Sequence, residues 1–168
     1  MVLIVALVTS VTLALAKFNR IIKLDKTSRT AVVQCGVRNL AISEAAAPLG
    51  LYYAPDPSSQ IACTIGGNVA ENSGGVHCLK YGLTVHNVLK VKGFTVRGEP
   101  IEFGGEALDA PGYDLLALIN GSEGMLAVTT EVTVRLLPRP QLARCIMASF
   151  ADVRQAGDAV AQVIAAGI

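Results

Sequence analysis

The chain of 168 residues has the length of one domain, with 52% hydrophobic residues and only 16% charged residues. Such a composition can bury a core, which excludes a natively disordered chain. The net charge is +1 and the basic residues are scattered, so the chain shows no pattern that favours nucleic acid as a partner.

Residues 1–16 (MVLIVALVTSVTLALA) are strongly apolar. A secretory signal carries positive charge ahead of its apolar stretch, whereas here the first basic residue, Lys17, follows it. A membrane-spanning helix needs about 20 apolar residues, and polar Thr and Ser residues interrupt this run. Its β-branched residues favour a buried strand over a membrane anchor. A wrongly placed start codon is a third alternative.

The next segments predict a hairpin and a helix. Residues 18–25 (FNRIIKLD) and 30–34 (TAVVQ) have strand patterns and are joined by a polar turn. Residues 37–47 predict a helix that is ended by Pro48 and Gly50. We expect its apolar face to consist of Val37, Leu40, Ala41 and Ala45.

Residues 54–82 differ in character from their surroundings, because they concentrate Pro, Gly, Ser and Asn with little periodicity. A long irregular loop inside a compact domain is uncommon unless it is disordered or functional. Its apolar content argues against disorder, so we interpret the segment as a functional loop.

The second half of the chain mixes strand and helix signals. Short strands are expected over residues 83–104, with turns near 92–93 and 97–98, and a short helix over 112–120. Strands are then predicted over 127–137 and 144–150. A last helix begins near Asp152 and carries an apolar face that needs a partner: Val153, Ala156, Val160, Val163 and Ile164. Hairpins interspersed with helices indicate an α+β domain.

The segment IGGNVAENSGG, residues 65–75, offers the chemistry of a ligand-binding loop. Paired glycines let a ligand approach the main chain, and exposed N–H groups in such turns bind phosphate. Plain turns are the alternative for this segment, and also for GSEG, residues 121–124. The Walker pattern and the dinucleotide pattern GxGxxG are both missing.

Three segments in order carry a resemblance: GVRNLAISEAAAPLGLYYAPDPSSQ, CTIGGNVAENSGGVHCLKYG and GSEGMLAVTTEVTVRLLP. The chain from about residue 12 onward resembles the FAD-binding domain of FAD-linked oxidases such as glycolate oxidase flavoprotein subunits. That family is related to D-lactate and D-2-hydroxyglutarate dehydrogenases. The resemblance implies a PCMH-type FAD-binding fold, largely its second subdomain, with a mixed or antiparallel sheet flanked by helices.

The family motifs imply a non-covalent FAD site. They place the PDPSS segment beside the flavin, residues 64–68 around the pyrophosphate and the isoalloxazine edge, and residues 123–128 at the adenine end. Ala127 stands where the family usually has glycine. The residues so implied are Pro55, Asp56, Ser59, Thr64, Ile65, Gly66, Gly67, Asn68, Asn72, Gly74, Gly75, Tyr81, Gly82, Glu123, Gly124 and Val128.

His77 and Cys78 raise the alternative of covalent FAD attachment, which some related flavoproteins use. The resemblance instead points to free FAD, and His77 is expected to be a hydrogen-bonded structural residue. The four cysteines match no zinc-ligand spacing, so no metal site is expected, and reduced thiols suit a cytoplasmic protein. A peripheral position at the inner membrane is also compatible with the family.

The resemblance implies oxidation of a 2-hydroxy acid such as glycolate or D-lactate, with hydride passing to flavin N5. Other oxidase subunits, an iron–sulfur subunit included, are the implied partners. Both ends are expected to be truncated: residues 1–150 would form a partial FAD-binding domain that lacks the N-terminal phosphate-loop subdomain. Residues 151–168 would begin the connection to a substrate domain. No catalytic residue is assigned, and the chain alone is expected to bind FAD weakly or not at all.

Two other functions stay open on the sequence alone. One is a non-catalytic remnant that has kept the fold and lost the cofactor. The other is a subunit that completes its FAD site with a partner chain.

Overall fold

A computed structural model describes residues 13–107, 112–142 and 144–167. Five strands in these ranges form one sheet: β1 (Ile21–Asp25), β2 (Thr30–Gln34), β4 (Val88–Phe94), β5 (Pro100–Gly104) and β6 (Val128–Arg135). Their order across the sheet is β1, β2, β6, β4, β5, and every neighbouring pair is antiparallel. A second, two-stranded sheet pairs β3 (Leu51–Tyr52) with β7 (Leu137–Pro138).

The helices of the described residues lie in the connections between these strands and after them. They are α1 (Asn39–Ala46), α2 (Ile65–Glu71), α3 (Cys78–Tyr81), α4 (Thr84–Asn87), α5 (Leu115–Ile119) and α6 (Val153–Ala165). A 3-10 turn, Ala47–Leu49, follows α1. Within the described ranges no helix is long and apolar enough to cross a membrane. An antiparallel sheet with helices confirms the expected α+β class.

The core lies on one face of the large sheet, because side chains of a strand alternate between its two faces. Valine and alanine side chains of β2, β4 and β6 alternate into it, and α1 and α2 cover them with Ile42, Ile65 and Val69, which are at most 1% exposed. Charged side chains lie on the opposite face. There Lys92 Nζ lies 3.3 Å from Glu131 Oε1 on the neighbouring strand.

The predicted hairpin is confirmed as β1 and β2, and its turn is organised by one carboxylate. Asp25 Oδ1 accepts hydrogen bonds from the N–H groups of Thr27 (2.9 Å) and Ser28 (3.0 Å), while its Oδ2 lies 3.0 Å from Lys23 Nζ. The Ser28 N–H first, and Lys23 next, lower the pKa of Asp25 to about 2. The turn therefore favours the ionised carboxylate.

We predict that acid weakens this hairpin. A depressed folded-state pKa gives stability that is present above the unfolded value of about 3.9 and is lost as pH falls towards about 2. Urea unfolding followed across this pH range should show that slope in the wild type. Asp25→Asn, which keeps the Oδ1 acceptor, should flatten it, and an unchanged slope would contradict the assignment.

The predicted helix over residues 37–47 is confirmed, and its predicted apolar face is right only in part: Val37, just before α1, is buried, and Ala41 packs against the core. The buried residues of α1 are Asn39, Ile42 and Ala46, while Leu40, Ala41 and Ala45 are half-buried. A polar residue can lie on the buried face because the Asn39 amide donates to the Pro55 carbonyl oxygen at 3.0 Å. Because this hydrogen bond pairs the amide, burying Asn39 carries little cost, which a pattern of apolar residues in the sequence does not reveal.

The turn predicted near residues 92–93 is also wrong, because β4 runs through it. Gly93 is buried at an irregularity in the pairing of β4 with β6. A Cβ at this position would collide with the carbonyl oxygen of Val128 and lie 3.0 Å from its carbonyl carbon. Glycine here allows close approach of two strands and does not reverse the chain. The other expected turn is confirmed between β4 and β5.

We predict that Gly93→Ala lowers the free energy of unfolding by about 1–3 kcal/mol, because the added methyl group has no space between the strands. Gly105→Ala is the matched control, since its Cβ would meet only the Ala107 nitrogen, at 3.9 Å. Urea denaturation of both variants measures the difference. Equal stability of the two variants would contradict the close approach.

The two ends of the chain depart in part from expectation. The strand predicted over 127–137 is confirmed as β6, and the helix from Asp152 is confirmed as α6. The strand predicted over 144–150 is absent from its described residues, where Ile146 and Met147 are at least 90% exposed and have no strand to pair with. Val153 and Val160 on α6 are exposed as well. Most of the buried strand expected over 1–16 lies outside the described residues, and residues 13–16 are not a strand.

Candidate functional site

Helix α2 occupies the middle of the segment that was predicted to be an irregular loop, so that prediction is wrong there. Thr64 caps the helix, and its Oγ1 accepts a hydrogen bond from Gly67 N–H at 3.3 Å. Ile65 and Val69, four residues apart, are both buried in the core. The cap and this burial outweigh the cost of two helical glycines, about 1 kcal/mol each.

The start of α2 lies directly against the end of β2. The N–H groups of Ile65 and Gly66 donate to the carbonyl oxygens of Val37 and Cys35, each at 2.8 Å. A Cβ on Gly66 would lie 2.8 Å from the Cys35 Cβ. These two amides are therefore used within the protein, contrary to the expectation of free N–H groups, and Gly66 serves close packing.

Asn68 is one of three residues in the described part of the chain with a buried side-chain atom that lacks a hydrogen-bond partner, together with Tyr53 (its hydroxyl) and Asn120 (Oδ1). Asn68 is 1% exposed, yet its Nδ2 has no hydrogen-bond partner within the described part of the chain. Asn39 has the same exposure and donates to Pro55. Buried donors are nearly always paired, so the Asn68 amide fits a site that receives an acceptor from a bound group.

The GSEG turn is joined to the end of α2 through the backbone. The N–H groups of Gly121 and Glu123 donate to the carbonyl oxygens of Val69 and Ala70, both at 2.8 Å. Glu123 and the following Gly124 have positive φ angles of 54° and 75°. The structure thus brings together two of the sequence-predicted segments.

Asn72 ends α2 and connects it to the next segment. Its φ of 50° and ψ of 50° place it in the left-handed region, which Asn tolerates better than most residues. Its Oδ1 accepts a hydrogen bond from Val85 N–H at 2.9 Å. The Asn72 side chain is therefore engaged with α4, leaving its Nδ2 as the polar group for another contact.

The PDPSS segment contacts the second glycine pair, Gly74 and Gly75. A Cβ on Gly75 would lie 2.6 Å from both the carbonyl carbon and the carbonyl oxygen of Asp56. The Asp56 carboxylate also binds His77: Oδ2 lies 2.6 Å from Nδ1 of the ring, and Oδ1 accepts from the His77 N–H at 3.4 Å. The expectation that His77 is hydrogen-bonded is confirmed.

Aromatic side chains extend this cluster. The Tyr81 ring centroid lies 6.4 Å from that of His77 and 6.2 Å from that of Tyr52, the latter pair being nearly perpendicular. Burial first, and the neighbouring Tyr81 second, raise the pKa of the Tyr52 hydroxyl. Tyr52 is therefore neutral at ordinary pH, and the cluster contains one anion, Asp56, among the groups named here.

The remaining predicted residues have different positions. Gly74 packs on Leu83, and Gly82, with a φ of +78°, packs on His86. Ser59 is exposed, and its carbonyl oxygen accepts from the N–H groups of Ala62 and Cys63. Val128 belongs to the sheet, opposite Phe94.

Three buried polar residues support the site and were missed by sequence reasoning. Asn39 holds Pro55, Thr84 Oγ1 donates to the Ser73 carbonyl oxygen at 2.8 Å, and Asn87 Nδ2 donates to the Tyr81 carbonyl oxygen at 2.9 Å. Asn39 lies in a segment that carries the family resemblance, but neither that resemblance nor the sequence pattern assigns a role to any of the three residues. Only the hydrogen bonds that their burial requires reveal the role.

Other candidate sites in the described residues are of a different kind. A cavity of about 140 Å³ lies between α5 and β5 and is lined almost wholly by apolar side chains, including Phe103, Leu118 and Leu126. In the same part of the chain, no group of three or more His, Cys, Asp or Glu side chains is arranged to hold a metal ion.

The chain belongs to the FAD binding domain family, whose model matches residues 4–104, more than half of its length. It is 65% identical over 158 residues to the glycolate oxidase subunit GlcD of Escherichia coli, covering 94% of this chain and 32% of that protein. Identity to the Bacillus subtilis subunit GlcD is 42% over 151 residues, with coverages of 89% and 32%. The D-lactate dehydrogenase of Archaeoglobus fulgidus is 36% identical, with coverages of 84% and 32%.

A solved structure of alkyldihydroxyacetonephosphate synthase matches with a TM-score of 0.65 and 26% identity, over 76% of this chain and 22% of that one. This likeness and the family model confirm the expected PCMH-type fold and the resemblance stated above. The chain spans about a third of the length of the curated relatives it matches.

We predict that replacing two buried asparagines with leucine changes the free energy of unfolding by different amounts. Asn68→Leu should leave the free energy of unfolding of the ligand-free chain within about 1 kcal/mol of the wild type, because an unpaired donor is removed. Asn39→Leu should cost about 1–3 kcal/mol, because the Pro55 carbonyl oxygen loses its donor. Urea denaturation compares the two. A larger loss for Asn68→Leu than for Asn39→Leu would show that Asn68 is engaged within the chain.

Proposed function

We propose that this chain is the FAD-binding portion of an oxidoreductase that oxidises a 2-hydroxy acid such as glycolate or D-lactate. The observation that carries the proposal is the unpaired, buried Asn68 amide on α2, the helix to which the GSEG turn is bonded. A bound FAD presents carbonyl and phosphate oxygens that would accept from such a donor. The names of the relatives, glycolate oxidase subunit and D-lactate dehydrogenase, support the substrate class.

Apart from Asp56, the proposed FAD contacts are made by neutral side chains or by the backbone. Asn68 and the remaining Asn72 donor suit the flavin edge or the pyrophosphate, and Glu123 with Gly124 suits the adenine end through the backbone. Close backbone packing of Gly66 on Cys35 and of Gly75 on Asp56 holds the segments that carry these contacts in place. We propose that the cofactor is held without a covalent bond. The full set consists of the sixteen residues that the family motifs imply.

When bound, FAD would supply the hydride-accepting chemistry for oxidation at the α-carbon of the substrate. The residues of this chain bind and orient. Ile65 and Val69 exclude water beneath α2, and Asn39 holds the PDPSS segment through Pro55. Within this proposal the residues that clamp the substrate carboxylate and accept its hydroxyl proton lie outside the sixteen residues of the cofactor site.

We further propose that residues 1–150 act as the FAD-binding domain and that α6 belongs to a connecting segment. The word subunit in the name of the relatives supports a role within a larger oxidase. Other oxidase subunits, an iron–sulfur subunit included, are the proposed partners in such an assembly.

We predict that FAD added to the purified chain shows weak, saturable binding by absorbance and fluorescence. Asn68→Leu should weaken it about tenfold, since a buried hydrogen bond to the cofactor is lost. Circular dichroism verifies that both proteins are folded. Folded wild-type chain that gives no saturable signal, or an Asn68→Leu variant that binds as tightly as the wild type, would count against the proposed site.

A chimaera separates cofactor binding from the complete activity. The matched 158 residues of this chain replace their counterpart in the Escherichia coli glycolate oxidase subunit, which is 65% identical to them. The chimaera should purify with FAD and reduce a dye when glycolate is added. A folded chimaera without flavin would indicate a remnant that has lost the cofactor. A yellow chimaera that is inert towards glycolate would show that this chain binds FAD but does not hold it in a geometry that supports oxidation of the substrate.

A further inference from the structure

We propose that His77, acting as a cation, is a positioning residue that holds Asp56 and the second glycine pair in the geometry that binds FAD. This inference rests on the proposed function, because the held segments are part of the proposed cofactor site. It assigns a role to a residue outside the sixteen proposed FAD contacts.

The contact is made twice by the same carboxylate. Asp56 Oδ2 lies 2.6 Å from the His77 ring Nδ1, and Asp56 Oδ1 accepts from the His77 backbone N–H at 3.4 Å. One oxygen therefore fixes the ring and the other fixes the chain at residue 77. The PDPSS segment and the segment that leads into α3 are tied at this point.

Gly75 shows how tightly the two segments fit. Its missing side chain leaves room for the Asp56 carbonyl group, which a Cβ would approach to 2.6 Å. A loss of the Asp56–His77 pair would allow these backbones to separate. Asp56 and Gly75, both proposed FAD contacts, would then be displaced from the positions in which they bind the cofactor.

The titratable groups near the His77 ring come from two parts of the chain. From α3 the neighbouring titratable groups are Cys78, Lys80 and Tyr81, with Lys80 Nζ over the Tyr81 ring at 5.8 Å from its centroid. From the segment around β3 they are Asp56 and the half-buried, neutral Tyr52. Asp56 is the one carboxylate among these groups, so an imidazolium gains an ion pair that neutral imidazole lacks.

Histidine changes its charge between about pH 5 and pH 8, so the strength of this pair depends on pH in a range where FAD phosphates keep theirs. The His77 side chain is 62% exposed, and solvent screens the pair. We therefore expect a moderate effect: FAD affinity of the wild-type chain falls about threefold between about pH 6 and pH 8.

FAD titrations of the full chain with two His77 variants separate the effect of the positive charge from that of the imidazole ring. His77→Gln should bind about threefold more weakly than the wild type at about pH 6. His77→Arg, which keeps the charge, should restore affinity and remove the pH dependence. His86→Gln is the matched control, because the other histidine contacts Leu83 N–H and should leave the pH dependence intact. Equal affinities for His77→Arg and His77→Gln would overturn the proposal.

A double-mutant cycle without cofactor keeps this inference separate from the proposed function. Urea unfolding at about pH 6 compares the wild type with Asp56→Asn, His77→Gln and the double variant. A coupling of about twofold to fivefold in the unfolding equilibrium constant is expected for this partly exposed pair. Additive effects would refute the pair whether or not FAD binds. Coupling with no flavin binding by any folded variant would reject the proposed function and, with it, the positioning role for FAD.

Discussion

The contact of Gly66 with Cys35 decides where the rest of the site lies. It places the first turn of α2 against the end of β2, and Cys35 N–H in turn donates to Thr130 on β6 at 3.0 Å. These contacts fix the position of α2 relative to β2 and β6. Its far end then receives the GSEG turn, so one close backbone approach determines the position of segments far apart in sequence.

The buried polar side chains of this domain differ in whether their donors are hydrogen-bonded. Asn39, Thr84 and Asn87 are each at most 1% exposed, and each donates to a backbone carbonyl oxygen. They stabilise the folded chain because their burial leaves no polar atom unpaired. Asn68 is equally buried and keeps an unpaired donor, a cost that a folded protein tolerates where a ligand supplies the partner.

Much of the fold was predictable because local patterns agree with the tertiary structure. The hairpin of β1 and β2 alternates in sequence and is closed by a turn that Asp25 caps, and β6 carries the period of a half-buried strand. The errors fall where glycine or asparagine has a packing role. Gly93 was interpreted as a turn and Gly66 as part of a loop, although both allow backbones to meet within regular elements.

The sequence by itself determined the α+β class, the family resemblance and the segments proposed to form the site, because residue order and hydrophobic period are local properties. Only the tertiary structure decided which amides are free. The N–H groups of Ile65 and Gly66 bind Val37 and Cys35, whereas the Asn68 side chain has no partner among the described residues. Hydrogen-bond satisfaction depends on neighbours that folding supplies from distant positions, and no local pattern encodes them.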